Sequence, residues 1–589
     1  MRPLEEDDPV ALQLRASGRR LAGVAVFSGV VNLLTLSGSL YMLQVYDRVI
    51  PSRNVATLLG LSAIVVVAYL MQGYFDALRA RMLSRIGALF DVALQPRIHL
   101  ALVTLPLQGA KPILAQQPLR DLDQVRAFLS GAGPTAFLDM PWIPLFLAAL
   151  FIFHPAIGVV ATFGAASMIA MAFLTERQSR SAAKISMQST AQRQVLADAL
   201  RQNADVVRAL GMTGRLAAQW SITNEHYIRH NIRLADVHAN LGATAKILRY
   251  VLQSAVLGVG AYLVVMGQAS GGIMIASSIM MGRALAPVEV ALANSKHLIA
   301  AWEGIGRLRA VLRVTGTLAA RAVVLQRPSR TLSVEDLTVV VPGTEKTVIS
   351  RVSFGLRAGT GLVVLGASAA GKSSLAKALV GIWPATTGVV RLDDAALDRW
   401  HSDELGRHIG YLPQDVALFD GTVAMNIARF DEAAISDAIL EAAQVAGAHE
   451  MILRLPDGYD TRIGERGASL SAGQRQRIGL ARAVFGRPFL VVLDEPNANL
   501  DADGESALVK AIATLRREQS VVVVISHRPN ALAALNMAMV IYEGRSIAFG
   551  PREEIFARVA QQSAGRAAAA PTHSSPRVRP EVSRRGMVR

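Results

Sequence analysis

Between Gly366 and Ser374 the chain reads GASAAGKSS, a spacing of glycines, lysine and hydroxyls that suits one task. Glycines let successive backbone N–H groups converge on phosphate oxygens, while the lysine and the hydroxyl after it reach the terminal phosphates and Mg²⁺. LVVLG before it reads as a strand and LAKALVGI after it as a helix, whose N-terminal dipole favours the same anion. Gly366, Ala367, Ser368, Ala369, Ala370, Gly371, Lys372, Ser373 and Ser374 are therefore the candidate nucleotide cradle. FLVVLDEP, Phe489–Pro496, is an apolar run that ends in two carboxylates about 120 residues after Lys372. Asp494 is placed to hold a Mg²⁺ shell, and Glu495, one residue on, stands where a base or water-orienting group is needed.

Three further stretches keep a fixed order around these two. YLPQD carries Gln414, LSAGQRQR precedes the carboxylate run, and VVVVISHRP sets His527 after the next apolar run. Each alone is an ordinary loop; together they are specific.

The elements that must position this chemistry divide by composition. The 589-residue chain is 52% hydrophobic and 5% aromatic, enough for roughly three or four domain-sized units. The apolar runs gather in the first 300 residues, and the rest reads as a soluble α/β mixture. Leu21–Leu43, Val55–Phe75, Pro134–Phe153, Ala156–Leu174, Ile247–Met266 and Gly271–Ala293 are each long enough to cross a bilayer core. Alternate connections differ in charge. The first-to-second holds only Arg48 and Arg53, the third-to-fourth only His154 and Pro155, and the fifth-to-sixth, MGQASGG, no charge. The two long ones run through Arg79–Arg126 and Arg177–Arg233 and are strongly basic. The positive-inside tendency puts these, both termini and the phosphate loop in the cytoplasm. The long connections also read as helix, so the spans are expected to continue into the cytoplasm.

Membrane topology therefore accounts for the net charge of +16, and nucleic acid is not expected as a partner. Zero cysteines exclude disulfides, thiolate catalysis and cysteine metal sites. The polar, acidic start MRPLEEDDPVALQLRASGRR is no secretory signal. Asp139, Arg249, Arg283 and Glu289 fall at or near spans, and Pro287 is expected to kink the sixth. The tail after Gln561, rich in Pro, Ser, Ala and Arg, is expected to be disordered.

Taken in order, GASAAGKSS, YLPQD, LSAGQRQR, FLVVLDEP, NLD and ISHRP resemble the nucleotide-binding domain of ATP-binding cassette (ABC) transporters. The resemblance implies that ATP sits between Gly366–Ser374 of one chain and Ser471, Ala472, Gly473 and Gln474 of a second. It implies a C₂ homodimer, which pairs each phosphate loop with the other's signature. Lys372 would neutralise β/γ-phosphate charge, Ser373, Gln414 and Asp494 would hold Mg²⁺, Glu495 would polarise the attacking water, and His527 would contact the γ-phosphate. Asp501 looks like the D-loop aspartate. Three departures stand out: Ala369 and Ala370 replace a commoner Gly/Ser pair, Ala472 replaces a glycine, and LTVVVPGTEK lacks the usual adenine-stacking aromatic.

GERG, Gly464–Gly467, resembles an exporter loop. YMLQVYDRVIPSRN, PLRDLDQVRAFLSG, FLDMPWIPLF, ALGM, GRALAPVE and DEPNANLD resemble the type I protein-secretion branch of exporters, which includes metalloprotease and lipase exporters. The implied fold is a six-span α-helical ABC exporter-type membrane domain fused to a C-terminal α/β P-loop nucleotide-binding domain. The expected boundaries are a cytoplasmic segment 1–20, the membrane domain 21–315, a linker 316–330, the nucleotide-binding domain 331–560 and a basic tail 561–589. With about 20 residues before the first span, no N-terminal peptidase domain is expected. The implied partners are a periplasmic membrane-fusion adaptor, an outer-membrane channel protein and a secreted, unfolded protein with a C-terminal signal, all at a bacterial inner membrane, among membrane lipid. A homodimeric exporter of lipid, glycan or small molecules would share the ATP machinery. A soluble DNA-maintenance cassette would not fit, because only about 100 residues separate Gly366 from Leu470.

Overall fold

The computed structural model describes residues 8–109, 112–319, 325–526 and 533–558. His527 and the tail 561–589 lie outside the described residues, as do 1–7 and part of the expected linker. The chain divides near residue 318 into two compact units.

The first unit is helical: α1 (Pro9–Gln44), α2 (Val55–Leu107), α3 (Pro112–Ser130), α4 (Gly133–Asp139), α5 (Ile143–Phe153), α6 (Pro155–Gln202), α7 (Thr213–Val265), α8 (Gly271–Ala293) and α9 (Ser295–Ala319). Among the described residues, six helical stretches are long and apolar enough to span a membrane, the third being α4 and α5 joined by a 3₁₀ turn. Their ends are set by side-chain caps. Asp8 accepts from Val10 and Ala11 N–H, Asn54 from Thr57 N–H and Ser270 from Ile273 N–H, each satisfying a donor the helix cannot. Asp8 starts α1 well ahead of the apolar run at Leu21. At 53 residues, α2 and α7 are each about 80 Å long, more than twice an apolar core of about 30 Å. The remainder therefore projects beyond the bilayer. The helix α8 continues through Pro287.

Burial separates the helices that face lipid from those that face protein. Of the apolar window in α2 only 6% is buried, against 50% in α8, so α8 occupies the interior of this unit. Phe146, Leu150, Ile157, Met168, Met280, Met281 and Leu285 form its core. Polar groups near the span ends are paired. Arg79 Nη1 donates to both oxygens of Asp139 (2.9 and 3.0 Å) and to Ser28 Oγ (3.0 Å), and Asn32 Nδ2 donates to Asp139 Oδ1 (2.8 Å). Glu289 Oε1 lies 2.5 Å from Arg249 Nε, while Arg283 is exposed. At the opposite end of the spans, Asp47 accepts from Ser270 Oγ (2.5 Å) and Gly272 N–H (2.9 Å), joining the first connection to the start of α8.

Topology has a direct test. Arg53 closes the turn before α2 with φ of 51°, and Arg201 ends α6; both are exposed. Arg53→Cys in this cysteine-free chain is expected to react with a membrane-impermeant thiol reagent in intact spheroplasts, and Arg201→Cys to remain unlabelled. The reverse pattern would invert the orientation drawn from loop charge.

The second unit is built on two sheets. The strands are β1 (Thr331–Val340), β2 (Thr347–Arg357), β3 (Gly361–Leu365), β4 (Thr387–Leu392), β5 (Ala395–Ala396), β6 (Ile409–Leu412), β7 (Leu490–Asp494), β8 (Val521–Ile525), β9 (Met537–Tyr542) and β10 (Arg545–Pro551). An antiparallel sheet has the order β2-β1-β4-β5, and the main sheet β10-β9-β3-β8-β7-β6. In the main sheet β9, β3, β8, β7 and β6 run parallel. The helices α10 (Lys372–Leu379), α11 (Ala472–Val484) and α12 (Ala502–Arg517) accompany it. With both faces covered, β8 and β7 up to Asp494 are apolar at every position, and all ten residues of the two strands are buried.

Candidate nucleotide site

Parallel order delivers the carboxyl ends of β3, β8, β7 and β6 to one edge of the sheet, where ligands of open α/β sheets bind. The ends of β3, β7 and β6 carry part of the expected chemistry, while His527, expected after β8, lies outside the described residues. The phosphate loop follows β3, Asp494 ends β7 with Glu495 behind it, Gln414 lies two residues past β6, and Ser526 follows β8. Local backbone explains the glycines. A Cβ at Gly366 would meet Ile541 O at 2.3 Å, and one at Gly371 would meet Val348 O at 2.6 Å. Gly371 also takes φ of 101°, and Ala369 a left-handed φ of 63°, a conformation that costs an alanine roughly 1–2 kcal/mol. The alanine pair thus keeps the loop's shape at an energetic cost that a glycine would avoid.

Lys372 is the first residue of α10 and is only 7% exposed. Its ammonium donates to the carbonyls of Gly366 and Ala367, both at 2.8 Å. Burial holds its pKa below the ordinary lysine value, and the nearby Glu495 and Asp494 act against that shift. Asp494 is 2% exposed. Burial raises its pKa above the usual carboxylate range, and a hydrogen bond from Ser373 offsets part of the rise. Its Oδ1 is buried with no hydrogen-bond partner. A buried carboxylate oxygen left open beside a serine hydroxyl fits a hard divalent cation such as Mg²⁺. Glu495 sits on a sharp turn with φ of 47°, its N–H bonded to Ile525 O at 2.9 Å. Gln414 Nε2 donates to Glu495 Oε2 at 3.1 Å. Lys372, Ser373, Asp494, Glu495 and Gln414 thus form one connected group.

Ser471–Gln474 form a second. Ser471 caps α11 in a reciprocal box, its Oγ accepting from Gln474 N–H (3.2 Å) and its own N–H donating to Gln474 Oε1 (2.8 Å). Ser471 and Ala472 are exposed at the helix start, while a Cβ on Gly473 would meet Asn499 O at 2.9 Å. Asp501 caps α12 through Gly504 N–H (2.9 Å) and takes Arg477 Nη2 at 2.5 Å. Those donors hold its carboxyl below the usual range.

The sequence of residues 349–498 matches the ABC transporter family, and residues 21–285 match the ABC transporter transmembrane region. The chain is 49% identical over 552 residues to the type I secretion system ATP-binding protein PrsD of Rhizobium meliloti, with 94% of each chain covered. It belongs to the type I secretion ATP-binding proteins of the ABC transporter family. The cyclolysin secretion/processing ATP-binding protein CyaB of Bordetella pertussis is 26% identical over 545 residues, covering 92% of this chain and 76% of that one. Among solved structures, a bacterial Atm1-family ABC exporter with ATP bound shares the fold at a TM-score of 0.78 and 20% identity, covering 95% of this chain and 99% of that one. The transporter is therefore a multi-pass membrane protein with a cytoplasmic ATP-binding domain, and its ATPase is coupled to export.

Within the transporter's site the motif reading passed over two buried side chains. Asn497, 4% exposed, accepts from Ser526 Oγ at 3.3 Å, and Gln476, 2% exposed, donates to Pro496 O at 3.0 Å. They tie the turn after β7 to the end of β8 and to α11. Both stand among other polar residues of LSAGQRQR and DEPNANLD, so no local signal set them apart.

Proposed function

We propose that this chain is the ATP-hydrolysing inner-membrane permease of a type I secretion system and moves an unfolded protein with a C-terminal signal to a periplasmic adaptor and an outer-membrane channel protein. The observation that carries the proposal is full-length identity of 49% with a type I secretion ATP-binding protein, in a chain whose strand ends gather a nucleotide site. Two copies would form two composite sites, Gly366–Ser374 of one facing Ser471–Gln474 of its partner, with Asp501 and His527 beside the shared nucleotide. Lys372 would turn from the loop carbonyls to the β/γ-phosphates. Asp494, Ser373 and Gln414 would hold Mg²⁺, which neutralises phosphate charge, and Glu495 would orient the attacking water. Closure performs work only if ATP binds the closed dimer better than the open one. The exposed start of α11, a donor-rich helix N-terminus, supplies that difference by reaching the γ-phosphate only when the partner approaches.

The proposal is tested by expressing the chain with its adaptor, outer-membrane channel protein and cargo, the cargo carrying or lacking its C-terminal segment. Intact cargo is expected in the medium and truncated cargo inside the cell. Equal secretion of the two would reject the protein-export assignment while leaving the ATP site untouched.

A further inference from the structure

The fifth and sixth spans pass from apolar to charged sequence at one level, Lys246 standing just before Ile247 and Lys296 just after Ala293. There α6, α7, α8 and the first turn of α9 enclose a cavity of about 630 Å³, lined by Thr175, His238, Lys246, Arg249, Glu289 and Lys296 together with small and aliphatic residues. That volume is ordinary for a small-molecule site. Its charge is unbalanced. Among the described residues Glu289 is the only carboxylate on the wall, and its Oε1 lies 2.5 Å from Arg249 Nε as an ion pair. Lys246 and Lys296 make no ion pair among the described residues, and His238 Nε2 is buried with no hydrogen-bond partner. His238 Nδ1 is 3.5 Å from Ser295 Oγ. Lys246 and Lys296 thus line the cavity without a carboxylate partner among the described residues.

The surroundings specify what kind of anion fits. Lys246 and Arg249 lie over the ring of Tyr250 (5.9 and 4.7 Å), an aromatic at the level where such rings mark the water–lipid boundary. The apolar span of α7 begins here, with Ile247 and Val251 62% and 58% exposed, so the cationic wall stands at the level of the headgroups. A phospholipid at this level can present its phosphate to the wall while its acyl chains follow the span. We propose that the cavity binds the phosphate headgroup of an anionic phospholipid of the cytoplasmic leaflet, held by Lys246 and Lys296 beside the Arg249–Glu289 pair. Basic pockets between spans on the cytoplasmic side are a known physical solution to this task.

The test uses the full transporter in nanodiscs of equal parts phosphatidylglycerol and phosphatidylcholine, with lipids retained on release counted by native mass spectrometry. Wild type is expected to retain phosphatidylglycerol preferentially. Lys246→Gln/Lys296→Gln should lower that preference about twenty-five-fold, each lysine contributing about fivefold. Lys246→Arg/Lys296→Arg should restore it, and Arg229→Gln/Arg233→Gln, on the exposed stretch of α7 outside the cavity, should leave it unchanged. Equal retention of the two lipids by wild type, or the same preference in the glutamine variant, would overturn the proposal. So would displacement of the retained lipid by inorganic phosphate alone, or capture of an acidic cargo peptide in pure phosphatidylcholine that the glutamine variant loses; these would reassign the cavity to free phosphate or to the cargo.

Discussion

Glu495→Gln is expected to bind ATP as the wild type does and to hydrolyse it about 10²–10⁴ times more slowly, the range for losing one positioned acid–base group. The proposed phosphate cradle, Gly366–Ser374, keeps its backbone and its side chains in this variant. The carboxylate is held by a backbone in a left-handed conformation, φ 47°, pinned by the N–H bond to Ile525 O. A non-glycine residue there costs about 1–3 kcal/mol and persists where the surroundings enforce it. Glutamine keeps the shape, the turn and a polar contact with Gln414 but removes the negative charge proposed to orient water. Nucleotide binding and turnover by the purified variant separate the two effects. Near wild-type turnover would remove Glu495 from the chemistry; loss of binding would make its role structural.

Asp139→Ala is expected to destabilise the membrane unit by about 3–5 kcal/mol, because it leaves the Arg79 guanidinium in place without its bidentate partner. Arg79 and Asp139 side chains are only 12% and 18% exposed, so solvent screening gives little relief. Asp76, which also pairs with Arg79 at 2.9 Å, is 41% exposed and a weaker substitute. Asn32 would lose one of its two acceptors, keeping Ser28 O. Replacing both charges, Arg79→Met with Asp139→Leu, should recover most of the loss, since an apolar pair of similar volume needs no desolvation. Thermal inactivation in detergent and folded yield measure both. A single variant as stable as wild type, or a double variant worse than the single, would show that the pair does not join α2 to α4.

These two variants also show where sequence reading ends. Glu495 was legible because the end of a buried parallel strand is encoded locally: five apolar residues, then carboxylates, with a glycine-rich turn at the corresponding end of β3. The six spans were legible for a similar reason, as each is a continuous apolar run of fixed length. Asp139 could be singled out as a charge near a span, but not its partner, which lies 60 residues away in sequence. The Asp47 contacts bridge more than 220 residues, and Glu289 faces Arg249 rather than the nearer Arg283. Such pairs depend on which helix faces meet, and no local period records that. Asn497 was hidden differently. Its neighbours read as a motif, and a motif gives residue types without saying that an amide there reaches back to Ser526.

The central claim, that ATP turnover at Glu495 drives a protein through this membrane unit, is tested most directly by trapping. Cells would produce the transporter, adaptor, outer-membrane channel protein and cargo, with the transporter either wild type or Glu495→Gln, and the transporter would be purified in ATP and Mg²⁺. The account predicts that the variant releases no cargo to the medium and retains adaptor and cargo on purification, while wild type exports the cargo and retains little. Cargo in the medium at wild-type level from Glu495→Gln cells, with none bound to the purified variant, would contradict it.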